Sequence, residues 1–178
     1  MPLGEGDYRR SAVFTRRSIR RFKPDKLDGW QVRAILEAAM SAPTACNQMP
    51  FELIVVQQRS VLDELQKALP LARLKTAPSA FVVTSVRDWK LRLHPCSQFL
   101  QQDLASVSLQ ICIAAEEIGL GSCWCGVHPV TRFEVAVRKV LGIPDDVMVL
   151  SVIPVGIPDE VKEPNSKWYP AKVHYDRF

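Results

Sequence analysis

The longest run of regularly spaced apolar residues begins near Gln98 and leads into a glycine-containing loop that extends to Gly126. One set recurs every three or four positions, which places it on one helical face: Leu100, Leu104, Val107, Ile111, Ala114 and Ile118. A second face carries Phe99, Leu109, Cys112 and Ile113. A helix that is apolar on two sides must be buried against other structure on both sides. The pattern therefore predicts a central helix that packs between a sheet and a second surface. Gly119 is predicted to end this helix in the left-handed conformation, although the pattern is also typical of an ordinary buried helix with a glycine cap.

Residues 9–22 are expected to form a short helix followed by the run from Arg16 to Phe22. Apolar periodicity predicts three more helices, at 29–41, 60–69 and 131–141, and three strands, at 51–57, 80–86 and 148–155. Capping-box signatures set two of the helix starts, at Ser60 with Asp63 and at Thr131 with Glu134. The chain starts helical and then mixes both element types. This order favours an α+β fold in which helices cover a sheet.

Composition places the chain among ordinary globular proteins, since 47% of its 178 residues are apolar and 24% are charged. We expect one domain spanning residues 1–178. No apolar run approaches the roughly 20 residues that cross a bilayer, so we expect no membrane partner. The N-terminal region carries arginines where a signal peptide would be apolar, so we expect a cytoplasmic protein. Five scattered cysteines in such a chain predict reduced thiols and no disulfide framework.

Positive charge is concentrated at the N-terminal end of the chain. Residues 1–26 carry eight arginines and lysines against three acidic residues. Within them, the sequence from Arg16 to Arg20 combines arginines, whose planar donor groups match phosphate oxygens, with the hydroxyl of Ser18. A nucleic-acid surface would extend over the domain, so this local cluster favours a small phosphorylated ligand, with a solvated basic face as the alternative.

Side chains that could do chemistry by themselves are scarce. Cys123, Cys125 and His128 lie close together in sequence, but three ligands without a second cysteine pair do not predict a metal site. The histidines do not occur in a recognisable hydrolase setting. If the protein is an enzyme, we therefore expect a cofactor to supply the reactive group.

Five segments, taken together in this order and at these spacings, resemble the nitroreductase family of flavin enzymes. They are Arg-Arg-Ser-Ile-Arg at 16–20, Ala-Pro-Thr-Ala-Cys-Asn at 42–47, Glu-Ile-Gly-Leu-Gly-Ser-Cys-Trp at 117–124, Pro-Val-Gly at 154–156 and Val-His-Tyr at 173–175. The resemblance implies an α+β fold with a central, mostly antiparallel sheet flanked by helices. It also implies an intertwined homodimer with FMN at the subunit interface.

The resemblance further implies which residues bind the cofactor. Arg16, Arg17, Ser18 and Arg20 would bind the FMN phosphate, ribityl chain and pyrimidine edge, with Arg20 giving electrostatic support. A loop of the partner subunit would cover the flavin with Pro43, Thr44, Asn47 and Met49. The backbone of Cys125 and Gly126 would lie beside the reactive N5 of the flavin, and Lys167 would bind the phosphate. No catalytic side chain and no metal ligand is implied.

Two positions depart from the family pattern. Met49 stands where the family has a glutamine, and a thioether cannot donate a hydrogen bond, so we expect a more apolar pocket. Asn165 stands where many relatives have a basic residue, which weakens the expected phosphate contact near Lys167.

The expected function is an FMN-dependent oxidoreductase that takes hydride from NADH or NADPH. By a ping-pong mechanism it would pass hydride to a small electron acceptor, a nitroaromatic, quinone or flavin. No sequence motif distinguishes NADH from NADPH. The alternative is an FMN-binding carrier or sensor without significant turnover, because the same residues would bind the cofactor in either case. A basic nucleic-acid-binding arm is a third hypothesis, and we expect no nucleic-acid binding.

Overall fold

A computed structural model of the protein describes residues 7–89, 95–164 and 167–178. Within them the chain forms five α-helices and five strands, joined by short 3₁₀ turns. The helices are α1 (Ala12–Thr15), α2 (Gly29–Met40), α3 (Arg59–Ala68), α4 (Leu100–Glu117) and α5 (Thr131–Leu141). The strands are β1 (Phe51–Val56), β2 (Ser79–Ser85), β3 (Gly121–Ser122), β4 (Cys125–Gly126) and β5 (Val149–Gly156).

The strands form one antiparallel sheet in the order β1-β2-β5-β3, with β4 also paired to β5. Phe51 lies opposite Ser85 in the β1–β2 pair, and Ser79 lies opposite Val155 in the β2–β5 pair. Strands β3 and β4 follow one another along the same side of β5. The expectation of a mostly antiparallel sheet flanked by helices is confirmed.

Two helical layers cover the sheet. On one face, α2 and α4 pack against β2 and β5 around a cluster that includes Ile35, Phe81, Leu104, Ile111 and Ile153. On the other face, α3 and α5 pack around Leu62, Leu65, Val82, Val137 and Val152. Every residue of β2 and β5 is buried, as their almost continuous apolar sequences require when both faces of a strand are covered.

The predicted central helix is confirmed as α4, and Gly119 follows it at φ 78°. Both capping-box predictions are wrong. Helix α3 begins at Arg59, one residue before Ser60, and helix α5 has Val130 at its N-cap. The predicted loop after Gly119 contains β3 and β4, because its backbone pairs with β5.

None of the helices in the described ranges combines the length and the apolar character that a bilayer crossing requires.

Candidate functional site

The arginine-containing segment lies against β3 as an extra strand. Ser18 forms a parallel bridge with Ser122, and the N–H of Ile19 donates to the Ser122 carbonyl at 2.9 Å. The buried Ile19 side chain covers Gly121 so closely that a Cβ at that position would lie 2.8 Å from three Ile19 carbons. Gly121 therefore allows the close approach that seats the arginine-containing segment on the sheet.

The chain after β5 folds back over this segment. Glu160 Oε1 accepts hydrogen bonds from the backbone N–H groups of Arg20, at 2.5 Å, and Arg21, at 3.3 Å. Lys162 Nζ lies 3.1 Å from Glu160 Oε1 and donates to the Ser18 carbonyl at 2.6 Å. Although partial burial acts to raise it, the Arg20 N–H and the Lys162 ammonium hold the pKa of Glu160 below its usual range. Glu160 thus holds the backbone of the segment at Arg20 and Arg21, while the Arg20 guanidinium donates to the Ser18 carbonyl at 3.3 Å and the Arg21 guanidinium to the Asp159 carbonyl at 2.8 Å.

Lys162 is a site residue that sequence reasoning missed. The fold turns its ammonium group towards Ser18, whereas the predicted Lys167 lies exposed further along the C-terminal segment. Asn165, the departure noted beside Lys167, lies outside the described residues. A lysine six residues after Gly156 carries no motif of its own, so only the fold reveals its position.

The edge formed by β3 and β4 presents backbone next to the arginine-containing segment. Cys125 pairs with Val152 and Gly126 with Ser151, while among the described strands β4 pairs with β5 alone. Gly126 is exposed, and a Cβ built on it would meet nothing within 4 Å. A flat ligand therefore has room to approach the backbone at Gly126.

Three cysteines form a thiol cluster beneath this edge: Cys112, Cys123 and Cys125. A hydrogen bond from the Cys125 thiol lowers the pKa of Cys123 to about 6, against the effect of burial and with help from the Arg20 guanidinium. The same hydrogen bond raises the pKa of Cys125, and burial raises the pKa of Cys112. The hydrogen bond within this pair and the Arg20 guanidinium thus both favour the thiolate form of Cys123.

The other predicted site residues lie on the loop of residues 43–49. Pro43, Asn47 and Met49 are exposed, and Thr44 is half-buried. The Met49 N–H donates to Thr44 Oγ1 at 3.1 Å, which closes the loop on itself. The Met49 side chain lies at the surface, where it presents an apolar thioether at the position of the family's amide.

The loop and the arginine-containing segment lie at opposite ends of α4. The Ala45 N–H donates to Asp103 Oδ1 at 2.8 Å, in the first turn of the helix. Strand β3 follows the other end, after Glu117. From Asp103 to Glu117 the helix axis rises by about 21 Å. One chain therefore places Ser18 beside Ser122 of β3 and the charge of Arg20 near Cys125, but it keeps the 43–49 loop at the other end of α4.

The expectation of reduced thiols is wrong for two of the five cysteines. Cys46, in the loop, forms a disulfide with Cys96, which precedes α4. The two are 50 residues apart in sequence. A count of cysteines does not say which of them approach each other, because the fold decides which thiols meet.

His128, considered above as a metal ligand, belongs to a polar network. Its Nδ1 lies 2.6 Å from Glu134 Oε1, and its Nε2 lies 3.2 Å from Gln101 Nε2. Arg138 NH2 donates to the second Glu134 oxygen at 2.8 Å. In the part of the chain that the structure describes, no group of three or more histidine, cysteine, aspartate or glutamate residues is arranged to hold a metal ion.

Known proteins resemble this chain both in sequence and in fold. The sequence profile of the nitroreductase family matches residues 13–94 and 66–157. An Archaeoglobus fulgidus protein, provisionally named an NADH dehydrogenase/NAD(P)H nitroreductase, is 33% identical over 169 residues, 93% of this chain and 96% of the relative. A Parabacteroides distasonis structure with the same provisional name has a TM-score of 0.86 at 32% identity, covering 94% of this chain and 96% of the other. An FMN-dependent nitroreductase from Clostridium difficile has a TM-score of 0.83 at 28% identity, covering 92% and 96%.

Proposed function

Since this chain belongs to the nitroreductase family, we propose that it is an FMN-dependent oxidoreductase that takes hydride from NADH or NADPH. It passes the hydride to a nitroaromatic, quinone or flavin acceptor by a ping-pong mechanism, in which donor and acceptor use the same site in turn. The observation that carries the proposal is the arginine-containing segment docked beside the open backbone edge at Gly126.

The residues present fit the phosphate of FMN. Arg16, Arg17 and Arg20 supply guanidinium groups, Ser18 supplies a hydroxyl, and Lys162 adds an ammonium group within hydrogen-bonding distance of the Ser18 carbonyl. A phosphate dianion is stabilised by such a set through charge-assisted hydrogen bonds. Lys167 is the further candidate for a phosphate contact.

The residues near the backbone edge fit the flavin ring. Gly126 leaves space for a flat ring, and the exposed Arg20 guanidinium stabilises the negative charge that the pyrimidine edge gains on reduction. When bound, FMN would supply the hydride chemistry that the side chains lack. The protein's part is to bind, to orient and to stabilise charge, which is why an acid–base pair is not required at the site.

A homodimer completes the site in this proposal. Because the 43–49 loop lies about 21 Å along α4 from the end where the arginines dock, it serves the cofactor of a second copy. Two copies whose α4 helices run antiparallel would place each loop, with Pro43, Thr44, Asn47 and Met49, beside the other's arginines.

Exposed apolar side chains support this assembly. The outer side of the α1, α2 and α4 layer exposes Val13, Phe14, Trp30, Met40 and Leu109. The C-terminal segment exposes Trp168, Tyr169, Tyr175 and Phe178. Exposed apolar side chains favour an interface, so in this proposal the twin helix packs on α4 near Leu109 and the C-terminal segment wraps the partner. Of the second face predicted for α4, Phe99 and Leu109 are exposed, whereas Cys112 is buried in the chain's own core. Each chain contributes one domain, residues 1–178, since its two core clusters share the sheet.

Spectroscopy of the purified protein tests the function. We expect the absorbance of bound flavin, and anaerobic addition of NADH or NADPH should bleach it, with the more efficient of the two identifying the donor. Addition of a quinone or nitroaromatic should then restore the colour. A yellow protein that neither nucleotide bleaches would instead be the FMN carrier or sensor, and a protein that does not retain FMN would refute the proposal.

A further inference from the structure

The 43–49 loop has a backbone conformation that it would rarely adopt unaided. Cys46 and Asn47 both have φ 52°, and Met49 has φ 46°. None of these residues is glycine, and a side chain on a left-handed backbone is sterically unfavourable. Such conformations persist only where neighbouring structure enforces them, and they concentrate at functional sites.

Two hydrogen bonds from α4 hold the loop. Asp103 is 5% exposed, and its Oδ1 accepts the Ala45 N–H at 2.8 Å. The Ser106 hydroxyl lies 2.8 Å from the Pro43 carbonyl and 2.8 Å from the Asp103 carbonyl, so its one hydrogen is shared between the loop and the helix. The first turn of a helix favours a carboxylate, which helps to explain why an acidic side chain is buried at this position. Helix α4 thereby fixes the beginning of the loop.

A covalent bond holds the middle of the loop. The Cys46–Cys96 disulfide joins it to the 3₁₀ turn (Pro95–Phe99) that precedes α4. Cys46 is exposed, so a reductant in solution can reach its sulfur. The loop is thus attached to the start of α4 both by a buried carboxylate and by a bond that thiols can break.

We propose that Asp103 and the Cys46–Cys96 disulfide form a clamp that positions the 43–49 loop for the cofactor site, and that a dithiol releases this clamp. The proposal rests on the proposed function in one respect, that the loop covers the flavin of the second copy. Asp103 is a positioning residue, because it acts through the Ala45 N–H and the loop.

The redox step is an ordinary thiol–disulfide exchange. A thiolate of the dithiol attacks Cys46 Sγ, the bond to Cys96 breaks, and Cys96 leaves as a thiolate that takes up a proton. The second thiol of the reductant then closes its own disulfide and releases Cys46. Two electrons pass from the dithiol to the protein, which gains two thiols.

The first measurement concerns the loop itself. Thiol titration of the denatured protein, purified without reductant, should find three of the five cysteines free. Hydrogen exchange of the peptide covering residues 43–49 should accelerate about tenfold after treatment with dithiothreitol, while exchange in α5 stays constant. A Cys46→Ser/Cys96→Ser variant should show the faster exchange with or without dithiothreitol. Five free thiols, or equal loop exchange in all these samples, would overturn the clamp.

The second measurement concerns the cofactor site. Asp103→Leu should raise the dissociation constant of FMN about tenfold with kcat at saturating FMN changed less than twofold, because a preorganised loop contributes to binding. Asp103→Asn keeps an oxygen acceptor and should stay within about twofold of the parent. Asp63→Leu, which removes an exposed carboxylate from α3, is the matched control. Equal FMN affinities for the Leu, Asn and parent proteins would count against the positioning role.

The two measurements separate this inference from the proposed function. If dithiothreitol frees the loop in a protein that binds no FMN, the clamp stands and the flavin function fails. If the protein binds FMN and is catalytically active, but hydrogen exchange of the loop is the same with and without the disulfide, the function stands and the clamp fails. The disulfide measurement needs no substitution, so the test also holds if Asp103→Leu does not fold.

Discussion

Arg20 combines two roles in the candidate site, one through its backbone and one through its side chain. Its N–H donates to Glu160, while its exposed guanidinium donates to the Ser18 carbonyl at 3.3 Å and helps to lower the pKa of Cys123. The backbone contact would survive truncation of the side chain. A substitution at Arg20 therefore tests the side-chain charge with little disturbance of the segment's position.

Arg20→Ala should weaken FMN binding about 10- to 100-fold, which corresponds to the roughly 1.5–3 kcal/mol of a charge-assisted hydrogen bond. It should also slow anaerobic bleaching by NADPH, since the reduced ring loses a compensating cation. Fluorescence titration and stopped-flow absorbance measure the two effects. Arg132→Ala on α5, whose guanidinium lies over the Phe133 ring, is the control and should change neither. If Arg20→Ala matched the parent in both, the electrostatic role of Arg20 would be wrong.

Gly121→Ala should destabilise the protein by about 1–3 kcal/mol, because the new methyl group overlaps the buried Ile19 side chain. The arginine-containing segment should move off β3, so FMN affinity should fall with stability. Urea unfolding and FMN titration test both effects. Gly29→Ala has open space around its Cβ and should change stability by less than about 0.5 kcal/mol. Equal stability of the two variants would contradict the close packing of Ile19 on Gly121.

At the scale of elements, α4 is attached to the sheet by a polar contact inside an apolar layer. Ser108 on α4 and Ser151 on β5 are both fully buried, and their hydroxyl oxygens lie 2.9 Å apart. Ser108 also donates to the Leu104 carbonyl at 2.9 Å, so the Ser151 hydroxyl is the donor between the two. The pair adds one polar contact between α4 and β5 to the apolar packing of the two elements.

Ser108→Ala should cost about 1–3 kcal/mol, because it leaves the buried Ser151 hydroxyl without this partner. The double variant Ser108→Ala/Ser151→Ala should be more stable than the sum of the single effects predicts, by about 1 kcal/mol. Urea denaturation of the four proteins measures this coupling. Ser108→Ala combined with Gln66→Ala, on a helix across the sheet, should be additive. Additive effects within the serine pair would mean that the two hydroxyls do not interact.

The starts of α3 and α5 show where local sequence motifs fail to predict the structure. Glu134 follows Thr131 at the spacing of a capping box, yet its carboxylate binds His128 and Arg138. Two partners from the tertiary structure outcompete the local backbone contact that the motif predicts. By contrast, the periodicity of α4 predicted its bounds well, because burial of a whole face outweighs any single contact.

At the scale of the whole molecule, the proposed function requires a second copy, because the two parts of the candidate site lie at opposite ends of α4. Leu109→Asp would place a charge on the exposed side of α4 and should convert the dimer into 20.0 kDa chains. Sedimentation equilibrium measures this mass. Leu71→Asp changes an equally apolar and more exposed residue in the turn after α3, and should leave the dimer intact. A parent protein with the mass of one chain would contradict the dimer.

The features that the sequence alone determined depend on short segments or on strongly repeated patterns. The apolar period of three to four identified α4, the continuous apolar runs identified the buried strands β2 and β5, and the arginines at 16–20 indicated an anionic ligand. These properties depend on neighbours in the chain, so they can be read from it. The family resemblance added the antiparallel sheet, which the structure confirms.

Only the tertiary structure decided which distant residues meet. It placed Lys162 on the Ser18 carbonyl, paired Cys46 with Cys96, and attached the 43–49 loop to Asp103. Each contact joins residues at least 50 positions apart and leaves no periodic trace in the sequence. Whether such residues meet depends on how both helical layers pack on the sheet, and that packing is a property of the whole chain.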